Sequence, residues 1–307
     1  MTDKRKWFVI INPTSGNGSA KKLWPKIEQL LLTYQFNFDF AFTAFKKHSV
    51  ELIHSAVNQG FKNIICVGGD GTLHNIINGI MTQKEVVSSS IVVGVIPIGT
   101  GNDWVKTYNI PKDIEMAIQI IKNGNISKQD LGEIAFLNQS KPSVYFNNLA
   151  GTGFDGYVVS KVGKYKHFGV LAYLFGTMMG LFSFKNFETE VSFDSEKITV
   201  KSLMILIGLC KYSGGGMQLT KTPNPSDGFF DISIVGDFSK WDILKNIPHL
   251  FNGKIVNSYK VQSVKAKNII IKITKENMPY IQADGELLGV GNIKVSIIEK
   301  AFCFYCK

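Results

Sequence analysis

The stretch Asn63-Ile64-Ile65-Cys66-Val67-Gly68-Gly69-Asp70-Gly71-Thr72 decides how the rest of the chain is read. Its first half is an almost wholly apolar run, short enough to be a buried strand. Two consecutive glycines then let the backbone turn with φ > 0 and bring N–H groups close to an anion. A third lets the following helix begin against that anion, where its N-terminus carries roughly half a unit of positive charge. Asp70 stands among these glycines, where a carboxylate repels phosphate unless a divalent cation lies between them. A phosphate cradle with an acid built in is what phosphoryl transfer needs. A plain tight turn between strand and helix needs one or two glycines but not the acid.

Strand and helix signals alternate on both sides of this loop through the first 125 residues. Phe8–Asn12, Phe36–Phe42, Asn63–Val67 and Ile91–Ile96 read as strands. Ala20–Thr33, Ser49–Asn58, residues 72–81 and Lys112–Lys122 read as helices, and Leu23, Ile27, Leu30 and Leu31 share one face of the first. This βαβαβα order predicts a parallel sheet with helices on both faces. Ligands of such sheets collect at the carboxyl ends of the strands. Three loops fall there: Asn12-Pro13-Thr14-Ser15-Gly16, Gly68–Thr72, and Pro97-Ile98-Gly99-Thr100-Gly101-Asn102-Asp103.

From about residue 126 the texture changes to short, turn-punctuated β runs: Val191–Ser195, Lys197–Leu209, Phe229–Val235, Tyr259–Val264 and Asn268–Thr274. These predict a β-sandwich with two inserted helices, near 168–184 and at Lys240–Phe251. The fold class is therefore α/β followed by β. The predicted domains are a nucleotide-binding unit over 1–128, with a returning segment 299–307, and a β-sandwich over 129–298.

Composition narrows the partners. The chain of 307 residues is 45% apolar and carries 34 Lys+Arg against 24 Asp+Glu, a net charge of +10. That surplus favours a polyanion: nucleotide, nucleic acid or an anionic lipid surface. The apolar run Phe8-Val9-Ile10-Ile11 is too short for a signal-peptide core, which predicts a cytoplasmic protein. Cys303 and Cys306 are the closest cysteine pair, and no second pair completes a zinc site. The uncharged stretch Phe168–Phe184 falls short of the roughly 20 residues a membrane span needs. Lys161, Lys164, Lys166, His167 and Lys185 bracket it, so it reads as a buried helix or as one that touches a membrane.

Several chemistries are excluded. Gly163-Lys164 is followed by Tyr165 and Gly253-Lys254 by Ile255, so the Gly-x4-Gly-Lys-[Ser/Thr] phosphate loop is absent. Gly16-x-Gly18 and Gly99-x-Gly101 lack the third glycine of the dinucleotide fingerprint. No Gly-x-Ser-x-Gly elbow and no His-Glu-x-x-His exists. Two acidic turns remain in the second half, Asp227-Gly228 and Asp284-Gly285-Glu286. Two carboxylates flanking a glycine suit metal binding and proton abstraction, and a plain hairpin turn has the same appearance.

In chain order, Asn12-Pro-x-Ser15-Gly16, Gly68-Gly-Asp-Gly-Thr72 with Asn78-Gly79, Pro97-x-Gly99-Thr100-Gly-Asn102-Asp103, Asp227-Gly228 and Asp284-Gly285-Glu286 resemble the diacylglycerol kinase-type lipid kinases, soluble bacterial members in particular. The glycine loop alone is shared with NAD kinases; the Gly-Thr-Gly-Asn-Asp loop and the late Asp-Gly-Glu are more specific. The resemblance implies an ATP-dependent kinase that phosphorylates a lipid hydroxyl, with diacylglycerol the leading acceptor. The alternatives are an NAD kinase and a nucleotide-binding regulator without catalysis. It also implies ATP contacts from Asn12, Pro13, Thr14, Ser15, Gly16, Thr43, Gly68, Gly69, Asp70, Gly71, Thr72 and Thr100. Glu286 is implied as the proton acceptor, with Asp70, Asp103 and Asp284 organising Mg²⁺. The Asn224 and Phe229 carbonyls and the Asp227 carboxylate match a structural magnesium site. Implied partners are a lipid substrate at the membrane surface and anionic lipid through peripheral association, not nucleic acid, with a homodimer admitted. One departure stands out: many relatives carry Leu-Asn-Glu after the glycine loop where this chain has Leu73-His74-Asn75.

Overall fold

In the computed structural model, which describes residues 5–162, 184–194, 196–274 and 278–307, the chain divides into two units, 1–129 with 300–307 and 130–299. The sheet of unit 1 is built from β1 (Lys6–Ile11), β2 (Asn37–Phe42), β3 (Asn63–Gly68) and β4 (Val92–Pro97), in the order β2-β1-β3-β4. All are parallel. The last strand, β16 (Asn292–Tyr305), adds a further parallel partner, setting Cys303 opposite Val92 and Phe304 opposite Val93. β1, β3 and β4 are buried along nearly their whole length, as parallel strands covered on both faces must be.

The covering helices are α1 (Ser19–Thr33), α2 (His48–Asn58), α3 (Asp70–Thr82), the short α4 (Asp103–Thr107) and α5 (Ile114–Asn123). Trp24, Ile27 and Leu31 of α1 and Ile118 and Ile121 of α5 pack with Trp7, Ile11, Ile65, Ile98 and Tyr305 in one core. Asp113 caps α5 by accepting the Met116 N–H, and Gly124 ends it in the left-handed conformation. α2 and α3 meet where Gly79 faces Ile53; a Cβ there would lie 2.8 Å from the Ile53 Cβ, so this contact needs glycine.

Unit 2 is two antiparallel sheets, with β5 (Ile126–Leu137), β6 (Val144–Phe146), β8 (Phe187–Phe193), β9 (Glu196–Ser202) and β13 (Asn268–Ile273) joined to the first part of β16. The other sheet has six strands: β7 (Leu149–Gly153), β10 (Met204–Gly208), β11 (Phe230–Val235), β12 (Val261–Ala266), β14 (Tyr280–Ala283) and β15 (Glu286–Val290). Among the described residues, the helices α6 (Phe154–Val162) and α7 (Lys240–Phe251) belong to this unit. The helix read over 168–184 lies outside the described residues apart from Phe184. Among the described residues no helix is long and apolar enough to cross a membrane.

Candidate active site

All three glycine-bearing loops of unit 1 leave the carboxyl ends of parallel strands, and side chains tie them together. Asn12, just after β1, donates its amide Nδ2 to Thr72 Oγ1 at 3.0 Å, and its Oδ1 accepts from the Thr14 N–H at 3.1 Å and the Thr14 hydroxyl at 2.9 Å. The Ser15 and Thr72 hydroxyls lie 3.4 Å apart. Thr43 continues β2, donating its N–H to the Ile11 carbonyl at 2.8 Å. One cluster of neutral polar groups thus joins the first loop to the start of α3. Pro13 and Gly16 complete the loop, and Gly16 has φ 59°.

Direct backbone contact joins the other two loops. A Cβ on Gly99 would lie 2.8 Å from the Gly69 Cα and 2.5 Å from Asn102 Oδ1; one on Gly68 would lie 2.6 Å from Thr72 Oγ1. Only glycine allows this approach. α3 starts at Asp70 without a side-chain cap, so its N-terminal end is left to a ligand, as at anion-binding helix starts. Gly71 and the exposed Thr100 border this opening.

Asp70 has a second task. Its Oδ2 accepts the Asp103 N–H at 3.0 Å and its Oδ1 the Trp104 N–H at 3.2 Å, so it caps α4 from a different loop. Behind that cap, Trp104 is buried, donates to Gln129 Oε1 at 2.7 Å, and packs on Tyr108, Phe302 and Phe304. The Asp103 carboxylate pairs with Lys106 at 2.7 Å. Burial, with the Asp70 charge adding to it, pushes the Cys66 thiol up, so Cys66 stays a neutral core residue. Asp70 is the carboxylate nearest the start of α3, and a Mg²⁺ carried on a nucleotide would need only one or two such groups from the protein.

In unit 2, Asp284 and Gly285 form the two-residue loop between β14 and β15, both at positive φ (49° and 78°). That is a type I′ hairpin, for which Asp-Gly is a preferred pair. Asp284 Oδ1 accepts the N–H groups of Asn148 at 2.9 Å and Leu149 at 3.1 Å, and Oδ2 that of Asn147 at 3.1 Å. A carboxylate taking three backbone donors fixes a loop. Asp284 thereby anchors residues 147–149.

Sequence reasoning missed what braces this hairpin. Buried Gln282 donates to buried Asp155, the second residue of α6, and its Oε1 accepts the Gly285 N–H at 2.9 Å. Gly156 lies so close to β14 that a Cβ there would sit 2.3 Å from the Tyr280 carbonyl oxygen. Glu286 opens β15 on this braced frame and is half-buried. The segment Gly153-Phe-Asp-Gly156 carries the one signal that pointed here, an acid between glycines.

Of the expected magnesium ligands, the Asn224 and Phe229 carbonyls and the Asp227 carboxylate, the carboxylate is already paired within the chain. Lys265 on β12 sets its Nζ 2.8 Å from Asp227 Oδ2, while Asp227 Oδ1 accepts the Phe229 N–H at 3.1 Å. The positive charge the turn calls for comes from the chain itself. Among the described residues no group of three or more His, Cys, Asp and Glu could hold a metal. Millimolar Mg²⁺ or a chelator is expected to move the melting temperature by less than about 2 °C. Lys265→Met should make that temperature respond to Mg²⁺. A parent protein that loses several degrees on chelation would restore the metal at Asp227.

Comparison with known proteins agrees with this geometry. Residues 6–134 match the family model described as the diacylglycerol kinase catalytic domain. Residues 148–304 match the YegS C-terminal NAD kinase beta sandwich-like domain. The chain is 30% identical over 290 residues to a protein named diacylglycerol kinase from Staphylococcus carnosus, covering 93% of this chain and 90% of that one. It is 26% identical over 289 residues to another of that name from Bacillus subtilis, covering 92% and 90%. A solved structure titled as a diacylglycerol kinase from Bacillus anthracis superimposes with a TM-score of 0.75 at 21% identity, covering 100% of this chain and 98% of that one. This last likeness speaks for the fold alone.

Proposed function

This chain belongs to the diacylglycerol kinase catalytic-domain family and is a lipid kinase, and we propose that it transfers the γ-phosphoryl group of ATP to the hydroxyl of diacylglycerol. The observation that carries the nucleotide half is the cradle itself: Gly69 and Gly99 in backbone contact and Gly68 closed against Thr72 at an uncapped helix start, with Asn12 bonded to Thr72. Phosphoryl transfer asks the protein chiefly for positioning and for charge stabilisation. Asn12, Thr14, Ser15 and Thr72 supply neutral donors, and the first turn of α3 supplies aligned amides. Asp70 would hold Mg²⁺ brought in on the triphosphate, an ion that when bound neutralises charge on the phosphate oxygens. Glu286 orients the acceptor hydroxyl and takes its proton. Asp284, Gln282 and Asp155 keep the hairpin that carries it in place. Peripheral contact with an anionic membrane would bring the kinase to its lipid.

The test is a product analysis. Purified protein is incubated with γ-labelled ATP and, separately, dispersed diacylglycerol, a monoacylglycerol, a sphingoid base or NAD. Labelled phosphatidic acid is the expected product. Label on NAD with none on any lipid would make the chain a NAD kinase. ATP binding without turnover on any acceptor would make it a regulator.

A further inference from the structure

Helix α7 presents two apolar faces, and only one has a partner within the described protein. Its inner face, Ile243 and Leu250, lines an apolar cavity with Met217, Leu219, Phe238 and Ile255. The outer face carries Trp241 (73% exposed), Leu244 (41%) and Phe251 (36%), together with exposed Pro248. At 100° per residue, positions 241, 244, 248 and 251 fall within an arc of about 80°, a continuous stripe. Exposed Lys240 and Lys245 flank the stripe, and Lys254 follows the helix.

The single acid of the helix is turned to another use. Asp242 closes a capping box with Ser239 and accepts Lys260 Nζ at 2.8 Å. Tyr259, 89% exposed, has its ring 5.7 Å from that same lysine. At the other end, Gln218 donates its backbone N–H to the Leu250 carbonyl at 2.7 Å and its side-chain amide to the Phe251 carbonyl at 3.1 Å. The helix is pinned at both ends, so its outer stripe is ordered before any partner arrives.

We propose that α7 is a membrane-docking helix, which lies in the interface of an anionic bilayer with Trp241, Leu244 and Phe251 inserted among the lipids and Lys240 and Lys245 at the headgroups. Three features select a bilayer over a protein partner. An exposed tryptophan at the end of an apolar stripe, as Trp241 is, is a side chain that settles at a membrane interface. Lysines beside the stripe, with the one helix acid held by Lys260, complement anionic headgroups. The proposal also rests on the lipid-kinase reading, since a kinase of bilayer lipids must reach its acceptor there.

A native reporter is in place. The chain has four tryptophans, and Trp7, Trp24 and Trp104 are buried while Trp241 is exposed. Acrylamide quenching and emission of the full chain are measured with phosphatidylglycerol and with phosphatidylcholine vesicles. Anionic vesicles should shift the Trp241 emission to the blue and protect it from quencher, and added salt should weaken this. The variant carrying Leu244→Asp and Phe251→Asp should bind those vesicles at least tenfold more weakly. It should melt like the parent and phosphorylate a short-chain, water-dispersed diacylglycerol at an unchanged rate. Trp241 that stays quenchable on vesicles, or a double variant that binds as the parent does, overturns the proposal. So does a parent that dimerises in buffer with Trp241 already protected, because the stripe would then face a second copy. Docking through Trp241 with no turnover on any lipid would leave this inference standing and remove the kinase reading. Turnover on lipid with Trp241 still in water would do the reverse.

Discussion

Asp70→Ala is expected to lose turnover and stability together. The lost turnover follows from its position at the first residue of α3, inside the loop proposed to hold the phosphates. Removing one preorganised electrostatic group from a transferring centre typically costs about 10²–10³-fold in kcat. The lost stability follows from the two amides it caps, Asp103 N–H and Trp104 N–H. Read from sequence alone, the loop appears free to accept alanine; the structure makes Asp70 the clasp between two loops 33 positions apart. Hydrogen bonds to a charged group contribute about 1.5–3 kcal/mol each. Partial exposure reduces this, so a fall of several degrees in the melting temperature is expected. Asp70→Asn separates the two effects. It keeps an acceptor oxygen for one amide and should recover much of the stability, yet it lacks the charge and should stay inactive. Normal turnover in Asp70→Asn would remove Asp70 from the phosphate site.

The parallel half was legible because its signals are local. Buried strands of a covered sheet are short apolar runs, and β3 and β4 follow such runs to within a residue or two. Glycine, proline and capping residues lie beside the elements they end, as Asp113 and Gly124 do for α5. What could not be read depended on distant partners. The five residues of α4 sit inside a glycine-rich loop, and their cap is Asp70. The run Lys197–Leu209 reads as one strand, but it breaks at Leu203, whose N–H bonds to the Val235 and Gly236 carbonyls. The halves β9 and β10 then enter different sheets. α6 has glycine as its third residue, a poor helix former in isolation. Close contact with β14 and the Asp155–Gln282 hydrogen bond compensate for it. Lys265 reaches Asp227 only because β11 and β12 pair antiparallel, with Asp231 opposite Lys265. In the candidate site the same division holds: loop identities were legible, and the tasks of individual carboxylates were not.

Glu286→Gln is expected to show the largest purely catalytic effect. A lipid hydroxyl is a weak nucleophile at neutral pH. A carboxylate within hydrogen-bond reach must hold it in line and take its proton as the phosphoryl group arrives. Two acids flank Gly285, and the structure gives them different surroundings. The Asp284 carboxylate accepts three backbone N–H groups and anchors residues 147–149. Both oxygens of Asp284 are thus already engaged by backbone donors, which leaves Glu286 the better placed of the two acids to meet an acceptor hydroxyl. Glu286 is half-buried on the adjoining strand, in a hairpin whose frame Asp284 has already fixed. Glutamine there keeps size and one acceptor oxygen but cannot take a proton. A positioned base contributes about 10²–10⁴-fold, so kcat should fall on that scale. ATP affinity should stay near that of the parent, because the proposed nucleotide contacts belong to the loops of unit 1. The melting temperature should hold as well, whereas Asp284→Asn should lower it by weakening the anchor. If Glu286→Gln lost ATP affinity and kept its kcat, Glu286 would be a nucleotide contact and the proton would have to leave by another group.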